Sequence, residues 1–357
     1  MVNRLKGKLS ETMETRMKKQ FSPAYVFALF LMFMLFAGGC SHTAVQETAI
    51  PQNAAFVTVP LGTAGGLDEA GLSAYLLAPA GSTDYIALDA GTMYAGLRNA
   101  VSRRSFGESV KNPETMRQHI KAYLISHAHL DHVAGLVISS TDDSAKPVMG
   151  LPGTIDNIRD HLFNWKIWPN FGNEGEGVQM KKYQYVRLKP VAEYAIGQTQ
   201  MAVTAFELSH SKPYISTAFL IRANQKYMLY FGDTGPDALE NSSAMNTVWT
   251  TVVPLVRDRK LSGIFLEASF PSAHPDNLLF GHLTPRWMMA ELRNLAKLVC
   301  PEHPETALQG LKVVVTHIKP SMNPEDNPAA VIMRELAESN DLGLEFILPE
   351  TGTRIVF

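Results

Sequence analysis

The segment His127-Ala128-His129-Leu130-Asp131-His132 places four candidate metal ligands within six consecutive residues. Imidazole and carboxylate are the donors that bind Zn²⁺ and related divalent ions. A solvated loop has no use for that density of imidazole. One buried histidine satisfied by a neighbour would not explain four ligands together. The segment follows the apolar run Ala122–Ile125 and a turn-like Ser126, so the ligands stand where a strand ends. A loop there can bend His127 and His129 toward one ion and leave Asp131 and His132 to face a second. One loop does not complete two sites. His210 in LSHS, Asp233 in YFGDTG and His317 in VVVTHIKP each fall one to four residues beyond an apolar β-rich run. That shared placement is the reason to group them. Singly they also read as a loop histidine, a turn aspartate beside Gly235 and a surface histidine.

Composition narrows the classes. The chain has 357 residues, 46% of them hydrophobic, with 32 basic and 34 acidic side chains. That is too apolar and too weakly charged for disorder. A formal net charge of −2 argues against a broad basic face for nucleic acid. Two cysteines, Cys40 and Cys300, make neither a disulfide framework nor a Cys-rich zinc site. Charge is uneven: residues 1–23 carry a net +4, and everything from Cys40 onward carries −6.

The basic start, the apolar run Ala24–Phe36 and the small residues Ala37-Gly38-Gly39 before Cys40 have the layout of an export signal. The apolar run is short of the ~20 residues that span a bilayer. Small residues before a cysteine resemble the bacterial lipoprotein signal, although Ala37 stands where leucine is usual. The expected division is a signal peptide over 1–39, a lipidated Cys40 with a polar tether over 40–54, and a single catalytic domain over 55–357. Ser41 after the cysteine resembles sorting to the outer membrane. The expected address is therefore periplasmic, with a lipid anchor as the membrane contact. Cys300 then remains as a lone thiol closing a helical pattern, expected to be buried.

The ligands need elements to position them. Apolar β-rich runs recur at Phe56–Leu61, Ala74–Leu77, Tyr85–Leu88, Ala122–Ile125, Met201–Phe206, Ala218–Ile221, Tyr227–Phe231, Gly263–Leu266, Val313–Val315 and Leu344–Leu348. Helical patterns lie between some of them. Thr284 is placed to cap a helix begun by Pro285, with Met288, Leu292, Leu295 and Val299 on one face. A second runs from Pro328 through Val331, Met333 and Leu336, and a third covers 113–120. Strands and helices alternate along the whole length, so the class is α/β or α+β with helices covering sheets.

HxHxDH followed by His, Asp and His in that order resembles the metallo-β-lactamase superfamily. The resemblance implies a four-layer αβ/βα sandwich, and two metals at the sheet edges. His127 to Ser140, HAHLDHVAGLVISS, closely resembles the signature of class II 3′,5′-cyclic-nucleotide phosphodiesterases. LGTAGG at 61–66, LSAYLL at 72–77, LDAG at 88–91, STAFLI at 216–221 and GHLTP at 281–285 are also similar to that family. Carried over by position, the resemblance implies a first metal held by His127, His129 and His210. It implies a second held by Asp131, His132 and His317, with Asp233 bridging. Zn²⁺ is the first choice of ion, with Mn²⁺ or Fe as alternatives.

The implied reaction is hydrolysis of cAMP or cGMP to the nucleoside 5′-monophosphate by a metal-bound hydroxide. A departing alkoxide needs a proton. His282, in GHLTP ahead of a helix N-terminus, is the candidate acid, and metal-bound Asp131 competes for the role. Glu267, in FLEASF, can orient His282 or lie apart from the site. Lys319 reads as a solvated lysine more readily than as a phosphate contact. Trp165, Trp168, Tyr183 and Tyr185 lie in a long insert and read as packing more readily than as base-stacking residues. The substrate is a small cyclic nucleotide, nucleic acid is excluded, and a homodimer is left open. The rivals are an RNase Z-like phosphodiesterase or a lactonase on the same fold, and a non-catalytic metal-binding surface lipoprotein.

Overall fold

The computed structural model describes residues 50–357, apart from 52, 108 and 109. The signal-like segment 1–39, Cys40 and most of the tether lie outside the described residues. No helix among the described residues is long and apolar enough to cross a membrane.

The described residues form two sheets of seven strands each. The first contains β1 (Phe56–Gly62), β2 (Ala74–Pro79), β3 (Tyr85–Leu88), β4 (Ile120–Leu124), β5 (Lys146–Gly150) and β6 (Tyr183–Arg187). The second contains β7 (Glu193–Ala195), β8 (Met201–Ser209), β9 (Ile215–Ala223), β10 (Lys226–Phe231), β11 (Leu261–Glu267), β12 (Lys312–Thr316) and β13 (Glu345–Ile347). The last strand, β14 (Ile355–Val356), returns to pair with β1 in the first sheet. Each sheet begins as an antiparallel meander and continues as parallel strands. The change falls at β3–β4 in the first sheet and at β10–β11 in the second. Parallel neighbours need crossovers, and helices supply most of them.

Among the described residues, five helices of nine or more residues cover the outer faces: α1 (Tyr94–Ser102), α2 (Leu130–Ser139), α3 (Ala244–Arg257), α4 (Pro285–Val299) and α5 (Pro328–Glu338). The period-2 alternation of strand side chains sorts the core into three layers. Tyr75 and Leu77 of β2 meet Val203, Phe219, Tyr230 and Phe265 between the sheets. Leu76 and Ala78 of the same strand face Leu97, Val133 and Leu136 of α1 and α2. Leu229 and Ile264 of the second sheet pack on Trp249, Leu292 and Leu336 of α3, α4 and α5. The result is the four-layer αβ/βα sandwich expected from the sequence.

The three expected helices form, and Thr284 caps α4 by accepting from the Trp287 amide. The ten expected strands form with ends moved by up to three residues. β5, β6, β7 and β14 were not anticipated, nor were α1, α2 and α3, and Asp131 and His132, expected on a loop, lie in the first turn of α2. Tyr183 and Tyr185 are buried core residues of β6, and Trp168 is partly buried against the same core; of these four aromatic residues only Trp165 is substantially exposed. Cys300 caps the end of α4 and is half-buried rather than buried.

The parallel strands and β8 all end on one edge, and their loops carry the polar residues singled out above. The close approach of α2 to the loop after β3 fixes that edge. Gly135 donates to the Gly91 carbonyl at 2.8 Å, and Leu136 donates to Ala90 at 3.0 Å. A Cβ at Gly135 would stand 2.8 Å from the backbone of both Ala90 and Met93. Replacing a helical glycine by alanine normally stabilises by about 1 kcal/mol. Gly135→Ala is expected to do the reverse, lowering stability by about 1–3 kcal/mol through overpacking. Thermal unfolding checks this: a Tm at or above that of the parent would mean that the loop yields to the methyl group.

Candidate metal centre

Five imidazoles and two carboxylates converge at the strand ends. Ligand atoms of His127, His129 and His210 lie within 4.8 Å of one another, as do those of Asp131, His132, Asp233 and His317. The Nδ1 of His129 is 3.0 Å from His127 Nε2 and 3.4 Å from His210 Nε2. On the other side, His317 Nε2 is 3.2 Å from Asp131 Oδ2. Asp233 joins the two groups. Its Oδ2 is 3.2 Å from His317, 3.7 Å from His127 and 3.8 Å from His210, while its Oδ1 is 3.3 Å from His132.

Four of the imidazoles have their tautomer set from outside the cluster. Ser126 donates its hydroxyl to Asp89, so His127 Nδ1 donates to that oxygen at 3.0 Å and turns Nε2 inward. His210 Nδ1 donates to the Gly281 carbonyl at 2.8 Å. His132 Nδ1 donates to Asp89 Oδ2 at 2.8 Å. His317 Nδ1 donates to Ser269 Oγ at 3.0 Å, and that hydroxyl is in turn bonded to Glu267. Each second bond leaves Nε2 facing the centre. His129 alone presents Nδ1, and the Tyr214 ring stacks on its imidazole at 4.4 Å and 10°.

Electrostatics keep these groups in the form that binds cations. Burial, then the neighbouring His132, holds His127 well below the usual histidine range. Burial and His210 bring His129 down to about 4. Burial likewise depresses His210. For Asp233, burial acts to raise the carboxyl, but His132 and His317 overcome it and hold it well below the carboxylate range. Asp131 is lowered in the same way, against burial, by its bond to His317. His127, His129 and His210 are thereby held as neutral imidazoles, and Asp131 and Asp233 as ionised carboxylates.

Divalent ions fit it. His132 Nε2 is fully buried and has no hydrogen-bond partner, although it is 3.3 Å from a carboxylate oxygen. Asp89 and Asp233 flank that ring and raise its affinity for positive charge against the cost of burial. All the donors are nitrogen or oxygen, as in hydrolytic Zn²⁺, Mn²⁺ or Fe sites.

The chain matches the family of class-II cAMP phosphodiesterases over residues 53–352. It is 42% identical over 315 residues to a 3′,5′-cyclic-nucleotide phosphodiesterase of Aliivibrio fischeri, covering 86% of this chain and 94% of that one. It is 31% identical to a cAMP/cGMP-dependent 3′,5′-cAMP/cGMP phosphodiesterase of Dictyostelium discoideum, covering 85% and 82%. The chain belongs to the class-II cyclic-nucleotide phosphodiesterase family. Unliganded yeast PDE1 superposes with a TM-score of 0.74 at 25% identity, over 85% of this chain and 99% of that one. A metallo-β-lactamase-fold protein of Bacillus subtilis shares the fold at a TM-score of 0.54 and 16% identity. The sandwich is thus a metallo-β-lactamase fold, and a phosphodiesterase of this family and fold works with divalent metal.

All eight residues expected at the site come together in this phosphodiesterase. His282 is the eighth: its Nδ1 bonds both oxygens of Glu267, at 3.0 and 3.1 Å. Glu267 therefore lies in the site rather than apart from it. Asp89, Ser126, Ser269 and Tyr214 were not assigned roles from the sequence. Asp89 stood in the LDAG segment, but its role depends on partners from β4, α2 and β10 that are remote in the chain.

Asp89 is fully buried and accepts from the Ser126 amide, the Ser126 hydroxyl, His132 Nδ1 and the Tyr230 hydroxyl. Asp89→Ala leaves these donors unpaired, at about 1–3 kcal/mol for each that finds no other partner. The expected result is a Tm lower by many degrees and metal bound per chain well below that of the parent, by elemental analysis. Unchanged melting with full metal content would show that Asp89 orients nothing.

Proposed function

We propose that the chain hydrolyses 3′,5′-cyclic nucleotides to nucleoside 5′-monophosphates, with two divalent ions, Zn²⁺ first among them, held on either side of Asp233. The single observation that carries this reading is the pair of donor groups joined by one carboxylate beside an imidazole–carboxylate dyad. His127, His129 and His210 would hold one ion and Asp131, His132 and His317 the other. Such a pair supplies Lewis acidity toward the phosphoryl oxygens and a water nucleophile available near neutral pH.

The chain's own residues do the rest. Glu267 accepts the Nδ1 proton of His282, so Nε2 is the atom that faces outward. Burial opposes protonation of His282, but the Glu267 charge outweighs it and raises the imidazole above its ordinary range. The carboxylate itself is lowered, against burial, by His282. A cationic His282 holds a proton on Nε2 for the departing 3′-oxygen. Asp131 is a poor acid by comparison, because His317 and His132 keep it ionised. The acid left open between the two therefore falls to His282. The amide of Thr234, next to Asp233, donates to Glu267 at 2.8 Å, tying the dyad to the carboxylate that joins the two donor groups.

The reading extends to the address. The basic start, apolar run and Cys40 support export, lipidation and a periplasmic address, and Ser41 supports sorting to the outer membrane. Incorporation of labelled palmitate that is lost in Cys40→Ala tests it.

Residues 41–357, loaded with Zn²⁺ or Mn²⁺, are expected to convert cAMP to 5′-AMP, and chelator should abolish the conversion. Chromatography that finds 3′-AMP or no product would remove the reading. His282→Ala is expected to keep its metal and lose about 10²–10⁴ in kcat on cAMP, the usual worth of general acid catalysis. On bis(p-nitrophenyl) phosphate, whose leaving group needs no proton, the loss should be far smaller. An equal loss on both would mean that His282 is not the acid.

A further inference from the structure

We propose that Lys319 is a substrate-binding residue whose ammonium receives the phosphoryl oxygens of the cyclic diester and, more strongly, those of the monophosphate product. This rests on the phosphodiesterase reading of the adjoining centre. Three placements converge on it.

The first is the backbone. His317 adopts φ 56°, a left-handed conformation uncommon for a side chain of that size. The turn lets the His317 amide bond the Thr63 carbonyl at 3.1 Å while its ring faces Asp131 and Asp233. It then brings the Lys319 amide onto the Ser269 carbonyl at 3.1 Å. Ser269 is the residue that links His317 to Glu267. Lys319 is thus anchored through its backbone to the same small network that sets two site imidazoles.

The second is the ammonium itself. It lies 3.9 Å from where a Cβ of Gly66 would stand and 6.0 Å from the Phe270 ring centre. Phe270 presents its edge to His282, with 6.0 Å between ring centres. The neighbouring Gly65 packs so closely on His317 that a Cβ there would meet the ring at 2.4 Å. The ammonium therefore sits between the loop that covers His317 and the ring that touches His282.

The third is its lack of a partner. Among the described residues no carboxylate stands within ion-pair distance of Lys319. The three carboxylates of the site, Asp131, Asp233 and Glu267, are all engaged by imidazoles. Of the other half-buried or buried lysines, Lys121, Lys146 and Lys260 pair with Asp84, Asp143 and Asp258, and Lys182 and Lys312 donate to backbone carbonyls. A half-buried ammonium over an aromatic ring, with nothing anionic beside it, is arranged for an anion that arrives. The diester carries one negative charge and the product close to two. The product should therefore gain more from Lys319 than the substrate does.

The test uses metal-loaded enzyme and the variants Lys319→Met and Lys319→Arg. With Lys319→Met, KM for cAMP is expected to rise about tenfold, the worth of one hydrogen bond to a charged group. Inhibition by 5′-AMP should weaken by more than that. Metal per chain and Tm should stay at the parent's values, and Lys319→Arg should recover much of the loss. Calorimetric binding of inorganic phosphate gives a readout independent of turnover, and it too should weaken in Lys319→Met. If the parent fails to turn over cAMP, the phosphodiesterase reading falls, and the phosphate titration still decides the anion role. KM, 5′-AMP inhibition and phosphate affinity all within twofold of the parent, with metal intact, would overturn the proposal.

Discussion

One buried carboxylate joins the two halves of the molecule. Asp89 leaves the end of β3 in the first sheet and accepts from Ser126 beyond β4, from His132 on α2 and from Tyr230 on β10 of the second sheet. A carboxylate without solvent is costly unless its lone pairs are used, and here each oxygen is used. The same bonds set the Nε2 face of His132 and, through the Ser126 hydroxyl, that of His127. Sheet packing and ligand orientation are therefore one interaction. The sandwich cannot slide without turning a ligand, and the ligands cannot turn without exposing a buried charge.

The centre repeats this logic at shorter range. Asp131, Asp233 and Glu267 crowd into one small volume with six imidazoles. Like charges so close are tolerable only with strong compensation. Two of the histidines, His132 and His282, are pulled toward positive charge by their carboxylates, and three are pushed toward neutrality by burial and by each other. The division is functional. Neutral imidazoles offer lone pairs to cations, while the one raised imidazole outside the two ligand groups, His282, is the one that can hold a proton for a leaving group. Environment alone separates residues of identical type into ligand and acid.

Much of this was legible in the sequence because the chemistry is concentrated. Four ligands in six residues after a strand are visible without structure, and His210, Asp233 and His317 follow strands whose apolar runs are plain. Thr284 before Pro285 announces a helix start that the structure keeps. What was not legible depends on contacts across the fold. Asp89 looks like any turn aspartate until Tyr230 and His132 are placed beside it. Helix α3 reads Ala244–Arg257 as AMNTVWTTVVPLVR, rich in β-branched residues and with Pro254 inside, so its local preference opposes its state. Tertiary burial of Val248, Trp249 and Val252 decides it. β5 carries Lys146 and Pro147 at its start, and nothing in that run shows that Asp143, Tyr123 and Tyr183 surround Lys146 as a buried polar cluster.

Close packing explains why these loops hold ligands so firmly. Gly135 brings α2 against the loop that follows β3, and Gly65 brings the loop after β1 against the ring of His317. At Gly135 the opposing backbone occupies the volume a side chain would need, and at Gly65 the His317 ring does. Interiors packed this tightly transmit a displacement rather than absorb it. The ligand positions are thus set by backbone contact on one side and by hydrogen bonds on the other. The exposed insert that carries Trp165, Ile167 and Val178 meets neither restraint, since its hydrogen bonds run to its own segment and to the far end of α2. Catalytic geometry and structural stability are therefore coupled at the strand ends and uncoupled in that insert, and substitutions should divide along the same line.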